Sequence, residues 1–519
     1  MKGFAGTSYD DVPYMAASFS NTHPEVLAVT TLLRGLDPPP LANARVLELG
    51  CARGANLVPM AWSMPGAEFV GVDLSVRQIE EARELASGAG ATNVVFHAMD
   101  LRDLDERFGP FDYIVGHGLY SWVAPDVQDT VLEVCSKRLS PNGIVYLSYN
   151  VFPGWHTSVM FREMMLYRIR NIQDPAERLR EVRGFMRFLA DSTKSDGGLW
   201  SILLDEKASY VEEAKDWSLL HDDLEAENNP VYFSEMVERA ARHGLQYVTE
   251  ERWGTPDEVL SPEVWEGLDR FATNRIEREQ YLDFLRNARF RRSLFCHAGL
   301  PLATGPVPER LERCRFRALA RPFDQSADPF APGEEHFNAA GTRTLTTRDP
   351  RLRALIHALY DVWPGTLDYE SVTQILAEGT RRSGGEVPPL PILGQLLHKA
   401  VVAKIVAPQL LDIPIATVLP EKPVAVPISR HQASRGEFAT NLLHQPLDVE
   451  PLDRFVLPLL DGTRTMGDVE AAISEALSAG HFSPTETGRP LEAGERPESP
   501  AHLADISLNR LLAGCYLLA

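Results

Sequence analysis

Short apolar runs alternate with amphipathic stretches along the first part of the chain. Five such runs occupy residues 45–49, 68–72, 93–97, 111–115 and 143–149. Runs of this length between turn residues are typical of buried strands, and the stretches between them repeat their apolar positions at helical spacing. Strands that alternate with helices favour a mostly parallel sheet, with ligand sites at the carboxyl ends of the strands. The pattern predicts an α/β domain over residues 1–160.

The pattern becomes helical after this domain. Apolar residues recur at helical spacing in residues 160–190, 217–244 and 261–298, among arginines and glutamates. Such stretches are typical of amphipathic helices that pack one face against a core. The sequence therefore predicts a second, helical domain over residues 161–325.

A segment rich in proline, aspartate and phenylalanine at 321–333 indicates the next boundary. Residues 345–408 then predict short helices, a turn rich in glycine and proline, another helix, and a strand at 403–406. That order resembles a winged helix and defines a third domain, 326–425. Winged helices often bind DNA, but the acidic balance and the lack of a basic helix face favour a contact with protein here.

The first strand runs directly into a turn of small residues. Residues 50–54 read Gly-Cys-Ala-Arg-Gly, and a helix is predicted to begin near Asn56. Glycines suit a backbone with positive φ or one that approaches a ligand closely, and the start of a helix offers free N–H groups. The second strand ends at Asp73, where a carboxylate can accept hydrogen bonds from both hydroxyls of a ribose. Together these elements predict a nucleoside-binding site.

Two cofactor classes combine a glycine turn with an acid that binds ribose. A dinucleotide turn would read G-x-G-x-x-G, whereas this strand and turn read E-L-G-C-A-R-G. Glu48 would repel a phosphate at this position, which favours an adenosyl cofactor over the dinucleotide or an ordinary strand-turn-helix. After the third strand, Asp100 is placed to receive an adenine amino group and Leu101 to flank the ring. The candidate cofactor residues are Glu48, Gly50, Cys51, Gly54, Asn56, Asp73, Leu74, Asp100, Leu101 and His117.

This arrangement resembles the first motif of class I S-adenosylmethionine methyltransferases, usually E/D-x-G-x-G-x-G, with Ala52 in place of the middle glycine. The resemblance implies a Rossmann-like class I sheet and S-adenosylmethionine as the cofactor. Cys51 lies within the turn, and we interpret it as a small turn residue and not a nucleophile, because nothing nearby in the sequence would activate its thiol.

Aromatic and polar residues follow the fourth and fifth strands, where a methyltransferase holds its acceptor. Methyl transfer is an in-line displacement by a neutral lone pair, so the protein must align the acceptor, exclude water and let an ammonium lose its proton. Aromatic walls with hydroxyl or imidazole groups suit this task and also hold a cation. The candidates are His117, Tyr120 and Tyr149 for catalysis, and Trp122, Asn150 and Trp155 for substrate binding. Each of these alone is equally consistent with an ordinary place in the core.

Longer motifs make the resemblance more specific. They read DVPY at 11–14, LELGCA at 47–52, NLVPMA at 56–61, HGLYSWV at 117–123, SYNVFPGWH at 148–156, HDDL at 221–224, NPVYF at 229–233 and QYLDF at 280–284. They are similar to the protein lysine methyltransferases first known from rickettsiae and to relatives that carry a methyltransferase regulatory domain. The resemblance covers most of residues 9–300 and implies a protein lysine as methyl acceptor. Residues 426–519 resemble the C-terminal domain of the same family and define a second winged-helix-like unit.

Composition and charge narrow the partners. A formal net charge of −21 disfavours nucleic acids and anionic membranes and favours cationic partners such as proteins with exposed lysines, although solubility alone would also explain it. Five scattered cysteines indicate neither a disulfide framework nor a zinc cluster. With no secretion signal and no membrane-spanning apolar run, the sequence predicts a cytoplasmic protein without membrane insertion. The acidic group at 221–227 favours a solvated helix start or a groove for a basic substrate over a metal site.

Three functions remain open at this point. The favoured one is transfer of a methyl group from S-adenosylmethionine to lysine side chains of a protein. A methyltransferase for small molecules would use the same cofactor site with a sealed acceptor pocket. A regulatory or scaffold protein would bind the cofactor without turnover and use the helical and winged-helix parts as its output.

Overall fold

A seven-stranded sheet lies at the centre of the protein. The computed structural model describes residues 17–251, 260–339, 344–436, 438–481 and 499–519, so the DVPY motif at 11–14 lies outside the described residues. The strands of the sheet are β1 (Arg45–Leu49), β2 (Glu68–Asp73), β3 (Val94–Ala98), β4 (Phe111–Gly116), β5 (Leu139–Asn150), β6 (Leu245–Glu250) and β7 (Phe290–His297). Their order is β3-β2-β1-β4-β5-β7-β6. Strands β1 to β5 are parallel to one another, while β7 runs antiparallel to β5 and β6 antiparallel to β7.

The five strands expected from the apolar runs are confirmed, and the fifth is longer than expected. The residues Ser-Pro-Asn-Gly at 140–143 have the composition of a turn, but they lie inside β5. The pairing with β4 shifts register there, because Phe111 pairs with Leu139 while Tyr113 pairs with Ile144. The extra residues therefore form an irregularity within the strand, which keeps its direction on both sides of it.

Helices cover both faces of the sheet. The first four are α1 (Pro24–Leu32), α2 (Leu57–Ser63), α3 (Val76–Ala89) and α4 (Pro125–Arg138). Ser75 caps the start of α3, where its hydroxyl accepts from the N–H of Gln78. Gly90, with φ of 67°, caps its end. Alternate residues of the strands enter two separate cores, with Val46 and Tyr146 in one and Leu47 and Leu147 in the other.

The segment predicted as a helical domain contains helices and also two strands of the central sheet. Its helices are α5 (Trp155–Ile169), α6 (Pro175–Thr193), α7 (Leu199–Glu213), α8 (Asp216–Ser218) with a π-helical turn at Leu219–Asp223, α9 (Phe233–Arg242), α10 (Pro262–Phe271) and α11 (Arg275–Arg286). Helix is therefore the wrong prediction for residues 290–297, which form β7. Backbone N–H and C=O groups at the outer edge of β5 pair with β7, so this segment completes the sheet.

The third part of the chain packs three helices around a small sheet, as expected for a winged-helix-like unit. Its helices are α12 (Pro350–Asp361), α13 (Tyr369–Arg382) and α14 (Leu390–Val402). The sheet has the order β12-β8-β13, formed by β8 (Arg315–Ala318), β12 (Leu367–Asp368) and β13 (Val406–Gln409). A second sheet of order β11-β10-β9 lies beside it, formed by β9 (Arg321–Pro322), β10 (Glu335–Asn338) and β11 (Thr344–Thr347).

The last part of the chain packs directly on the central domain. Its elements are α15 (Pro427–Ser434), β14 (Ala439–Thr440), β15 (Pro446–Leu447), α16 (Pro451–Val456), α17 (Met466–Ser478) and α18 (Pro500–Ala513). Val426 and Leu442 belong to the same buried core as Met60 of α2 and Ile79 of α3. Among the described residues, every helix is too short or too polar to cross a lipid bilayer.

Candidate active site

A cavity of about 610 Å³ opens where β1, β2 and β4 end. All of the predicted cofactor residues except Gly54 line it, namely Glu48, Gly50, Cys51, Asn56, Asp73, Leu74, Asp100, Leu101 and His117. The carboxyl ends of neighbouring parallel strands meet at one edge of a sheet, which brings these residues together.

The turn after β1 needs its small residues for two different reasons. Gly50 and Ala52 have φ of 70° and 45°, in the left-handed region that disfavours larger side chains. Gly54, with φ of 72°, faces away from the cavity, and a Cβ there would lie 2.9 Å from the ring of Phe96. Its role is therefore close packing of the turn against β3 and not contact with a cofactor.

Asp73 holds the turn in place. One carboxylate oxygen accepts from the N–H of Ala52 at 3.0 Å and the other accepts from the N–H of Ser75 at 2.9 Å. Asp73 also lines the cavity, where a carboxylate can accept hydrogen bonds from hydroxyl groups. Asp73 thus connects the first and second strand ends and remains suited to binding a ribose.

Glu48 and Asn56 form a buried pair beneath the turn. The amide nitrogen of Asn56 donates to Oε1 of Glu48 at 2.6 Å. The other oxygen, Oε2, is buried and has no hydrogen-bond partner among the described residues. Burial raises the pKa of Glu48 to about 8, Asn56 opposes the shift, and the charge of Asp73 adds to it. A carboxyl group without a partner in a cavity wall is a place for a cationic ligand group.

The cavity continues to Asp100, which follows β3. Its carboxylate accepts from the backbone and the side chain of Arg102, and these hydrogen bonds keep the pKa of Asp100 below its usual value. Asp100 is therefore an ionised acceptor in the wall, and Met99 and Leu101 provide apolar surface beside it. Such a set suits an adenine ring with its exocyclic amino group.

Cys51 is buried in the turn. Burial, together with the nearby charges of Asp73 and Glu48, raises the pKa of its thiol well above the usual value. A thiol that stays protonated is a poor nucleophile, which favours the interpretation of Cys51 as a small turn residue.

His117 lies on the acceptor side of the cavity. Its Nδ1 atom is 2.9 Å from the hydroxyl of Tyr146, and its ring centroid is 4.1 Å from that of Phe19. Burial, helped by the charge of Arg292, lowers the pKa of His117 to about 4, so the imidazole is neutral at physiological pH. The sequence predicts His117 in this place, but it does not single out Tyr146 or Phe19.

Tyr149 and Tyr120 do not reach the cavity. Tyr149 is 1% exposed and its hydroxyl lies 2.7 Å from that of Ser293, on the opposite face of β5 from Tyr146. Successive side chains of a strand point to opposite faces, so Tyr146 and Tyr149 lie in different cores. Tyr120 packs beside Tyr149 and is fully buried. Neither hydroxyl reaches the cavity, so the structure does not support the catalytic role that the sequence predicts for Tyr149 and Tyr120.

Of the three predicted substrate-binding residues, the structure brings only Trp122 to the cavity. Trp155 begins α5 and makes an edge contact with Trp122, with ring centroids 6.3 Å apart. Asn150 is buried, and its backbone joins the sheet to other segments through hydrogen bonds with Ser121 and Val231. Trp155 therefore packs against Trp122 of the cavity wall, and Asn150 joins β5 to the segments that contain Ser121 and Val231.

Two carboxylates from a distant segment complete the cavity. Asp222 and Glu225, which we call the acidic wall, line it together with Trp122. The neighbouring Asp223 instead pairs with Lys207 at 2.5 Å and with the hydroxyl of Tyr210 at 3.0 Å. The acidic stretch at 221–227 thus contributes one residue to a structural ion pair and two to the cavity. Within the described ranges, no cluster suited to a metal ion occurs.

Comparisons with known proteins agree with this geometry. Three family models match the chain: a methyltransferase domain at 46–143, a predicted methyltransferase regulatory domain at 215–297, and the C-terminal winged helix domain of PKMT at 421–515. The uncharacterized protein RP789 of Rickettsia prowazekii is 32% identical over 500 residues, which are 94% of this chain and 89% of that protein. The chain belongs to the rickettsial protein lysine methyltransferase family.

Solved structures extend the agreement to the whole methyltransferase. PKMT2 from Rickettsia typhi in complex with AdoHcy superposes with a TM-score of 0.83 and 27% identity, covering 98% of this chain and 100% of that one. A ubiquinone biosynthesis O-methyltransferase of Sinorhizobium fredii is 33% identical over 111 residues, which are 21% of this chain and 43% of that protein. The protein is an S-adenosylmethionine-dependent methyltransferase, and its cofactor is S-adenosylmethionine.

The residues of the cavity fit this cofactor. Oε2 of Glu48 would suit the cofactor's ammonium group, Asp73 would hold its ribose hydroxyls, and Asp100 would accept from its adenine amino group. When bound, the cofactor supplies an electrophilic methyl group on a sulfonium. The methyltransferase itself provides a backbone turn of fixed shape, one buried carboxyl group, partly exposed carboxylates, and a neutral imidazole in the same cavity.

The two tyrosines of β5 give an opposed pair of variants. We expect Tyr146→Phe to slow methyl transfer about fivefold, because His117 loses its hydrogen-bond partner. Tyr149→Phe should keep full turnover and lower the free energy of unfolding by about 1 kcal/mol, since only a buried hydroxyl pair is lost. Initial rates and urea unfolding of both variants check this. A slow Tyr149→Phe enzyme with an active Tyr146→Phe enzyme would reverse the assignment.

Proposed function

We propose that this methyltransferase transfers methyl groups to lysine side chains of a protein substrate in the cytoplasm. The observation that carries the proposal is the acidic wall, Asp222 and Glu225, which lines the same cavity as the cofactor turn and Trp122. Carboxylates and an indole face together suit a long cationic side chain with an apolar stem. A neutral hydroxyl acceptor would gain nothing from the two charges.

The chemistry of the cavity agrees with a lysine acceptor. An ammonium has no lone pair, so it must lose its proton before it attacks the methyl group. His117 stays neutral above pH 4 and so adds no positive charge beside the lysine. The acidic wall attracts the charged form of the side chain, and the aromatic groups that line the same cavity favour the neutral amine because they replace water. Alignment with the cofactor then completes the requirement for in-line transfer.

Further observations support a protein substrate and a reducing compartment. The similar structure PKMT2 is, by its name, a protein lysine methyltransferase. The net charge of −21 favours association with basic segments. All five cysteines are buried and free of disulfides, which is usual for proteins of the cytoplasm.

Neutralising the acidic wall tests the acceptor assignment. For the double variant Asp222→Asn, Glu225→Gln we expect KM for the protein substrate to rise about tenfold, because two partly exposed ion pairs are lost. Affinity for AdoHcy should stay within twofold, since neither residue is among the predicted cofactor residues. Glu206→Gln, Glu213→Gln is the matched control, with the same charge change on exposed positions of α7. Equal KM values for both double variants would contradict the role of the wall.

The substrate itself is found with tritiated S-adenosylmethionine and a lysate of the source cell, followed by gel autoradiography. A labelled protein band whose label resides in methylated lysine, and which Asp73→Ala fails to produce, supports the proposal. Label only in small molecules would favour a small-molecule methyltransferase. No label, despite cofactor binding by calorimetry, would favour a regulatory protein.

A further inference from the structure

A histidine of the C-terminal winged helix domain reaches the cofactor site. His444 lies in the turn between β14 and β15 with φ of 58°, and it is 5% exposed. Its Nε2 atom is 2.9 Å from Oδ1 of Asn56, although the two residues are 388 positions apart in the sequence. Burial keeps the pKa of His444 well below its usual value, so this contact joins a neutral imidazole to an amide.

The hydrogen-bond directions along this contact are fixed. The backbone N–H of Phe19 donates to Oδ1 of Asn56 at 2.8 Å, which identifies that atom as the amide oxygen. His444 must therefore donate from Nε2. The amide nitrogen of Asn56 points the other way and donates to Oε1 of Glu48. Hydrogen bonds thus run from His444 through Asn56 to Glu48, which lines the cavity, and the amide nitrogen of Asn56 also donates to the hydroxyl of Thr22 at 3.0 Å.

A second contact reaches the cavity from the same domain. The hydroxyl of Ser18 lies 3.2 Å from that of Thr440 and donates to the carbonyl of His444 at 3.4 Å. The residues on either side of Ser18 are Ala17 and Phe19, and both line the cavity. Phe19 is also the ring that packs against His117, at an interplanar angle of 38°. The position of this wall segment therefore depends on the C-terminal domain.

The domain is packed closely against the methyltransferase domain. Helix α15 lies on α3, and a Cβ at Gly88 would fall 2.3 Å from the ring of His431. Ile428 and Leu442 share a buried core with Phe69 of β2. These contacts make the domain a fixed support and not a tethered module.

We propose that the C-terminal winged helix domain is a working part of the cofactor site, and that His444 is the residue that positions Asn56 and, through it, Glu48. Without the donor at position 444, Asn56 keeps its hydrogen bonds with Phe19 and Thr22 but loses one of the groups that fix its amide, so its contact with Glu48 is held less firmly. The inference concerns cofactor binding alone and does not rest on the identity of the methyl acceptor.

Replacing the histidine tests the inference. His444→Leu keeps the bulk but removes the donor, and we expect its Kd for AdoHcy to rise about tenfold, as for a lost buried hydrogen bond. The turnover number at saturating S-adenosylmethionine should change less than twofold, so the effect falls on KM for the cofactor. The pH at which cofactor affinity is half-maximal should move upward, since Glu48 ionises less readily without Asn56. His444→Gln, whose amide nitrogen can replace Nε2 as donor, should restore Kd to within threefold.

A control separates this role from simple loss of stability. Ser507→Ala removes another buried hydrogen bond of the same domain, from Ser507 to Asp453 at 2.6 Å, away from the cavity. It should lower the melting temperature about as much as His444→Leu does and leave Kd unchanged. The inference is overturned if His444→Leu binds AdoHcy like the wild type, if Ser507→Ala weakens binding equally, or if a folded His444→Gln protein binds no better than His444→Leu.

Discussion

Replacing Asp73 by alanine should weaken AdoHcy binding by at least about a hundredfold. The carboxylate has two tasks at once, because it faces the cavity and also accepts the N–H groups of Ala52 and Ser75. Hydrogen bonds to a charged acceptor contribute about 1.5 to 3 kcal/mol each, so loss of two from a ribose alone accounts for a hundredfold change. Loss of the bond to Ala52 adds to this, since that residue holds a left-handed conformation in the turn.

The matched control for this variant lies at the amino ends of the same parallel strands, away from the cavity at their carboxyl ends. Asp112 also bridges two segments, accepting from the N–H of Arg45 at 3.0 Å and the hydroxyl of Ser140 at 2.8 Å. Asp112→Ala should cost stability and leave Kd for AdoHcy unchanged. Asp73→Asn keeps one oxygen and should fall between wild type and Asp73→Ala. Calorimetric titration of folded proteins measures all three, and a wild-type Kd for Asp73→Ala would remove Asp73 from the cofactor site.

The parallel strands and the cofactor half of the site are predictable because they depend on local pattern. Each strand is one apolar run, Gly50 follows β1 directly, and Asp73 is the last residue of β2. Parallel topology then places these strand ends together without further information. Strand β7 is missed because its apolar residues follow charged ones, so its pattern fits a helix nearly as well, and only pairing with β5 decides between them.

The acceptor half of the site is less predictable because its residues come from distant segments. The acidic wall lies about a hundred residues after His117, and no local spacing connects them. His444 is further still from Asn56 in sequence. The prediction of Tyr149, where the structure instead brings Tyr146 to His117, is a different case. The alternation of side chains along the strand is enough to decide between the two tyrosines. Ser148, whose hydroxyl accepts from the N–H of Gly118, shares the face of Tyr146, and Tyr149 therefore cannot.

The ionised form of Glu48 favours cofactor binding but lowers the free energy of unfolding, and the size of this effect depends on pH. The folded protein holds the pKa of Glu48 at about 8, against an ordinary value of 4.5. Between these two values the folded chain binds a proton that the unfolded chain has lost, so the free energy of unfolding falls as pH rises across this window. Above pH 8 the loss reaches roughly 5 kcal/mol in the protein without cofactor. A cationic group beside Oε2 would relieve this cost by stabilising the ionised form.

We therefore expect Glu48→Gln to stabilise the protein and weaken its function. At pH 8.5 the variant without cofactor should unfold at a higher free energy than wild type, by roughly 2 to 4 kcal/mol, because no buried charge forms. Its affinity for AdoHcy should be at least about tenfold lower, because the charge that pairs with the ammonium group is missing. Wild-type affinity should rise severalfold from pH 6 to pH 8, whereas the affinity of the variant should vary less.

Proton release distinguishes this account from a general effect of pH. At pH 7, calorimetry of AdoHcy binding in two buffers of different ionisation enthalpy should show nearly one more proton released by wild type than by Glu48→Gln, because Glu48 ionises on binding. Glu25 is the matched control, since it is a buried glutamate with a raised pKa that accepts the N–H groups of Leu410 and Leu411 outside the cavity. Glu25→Gln should change the pH dependence of stability and release protons like wild type. Equal proton release by wild type and Glu48→Gln would mean that Glu48 does not bind the cofactor in its ionised form, and that its burial serves the turn alone.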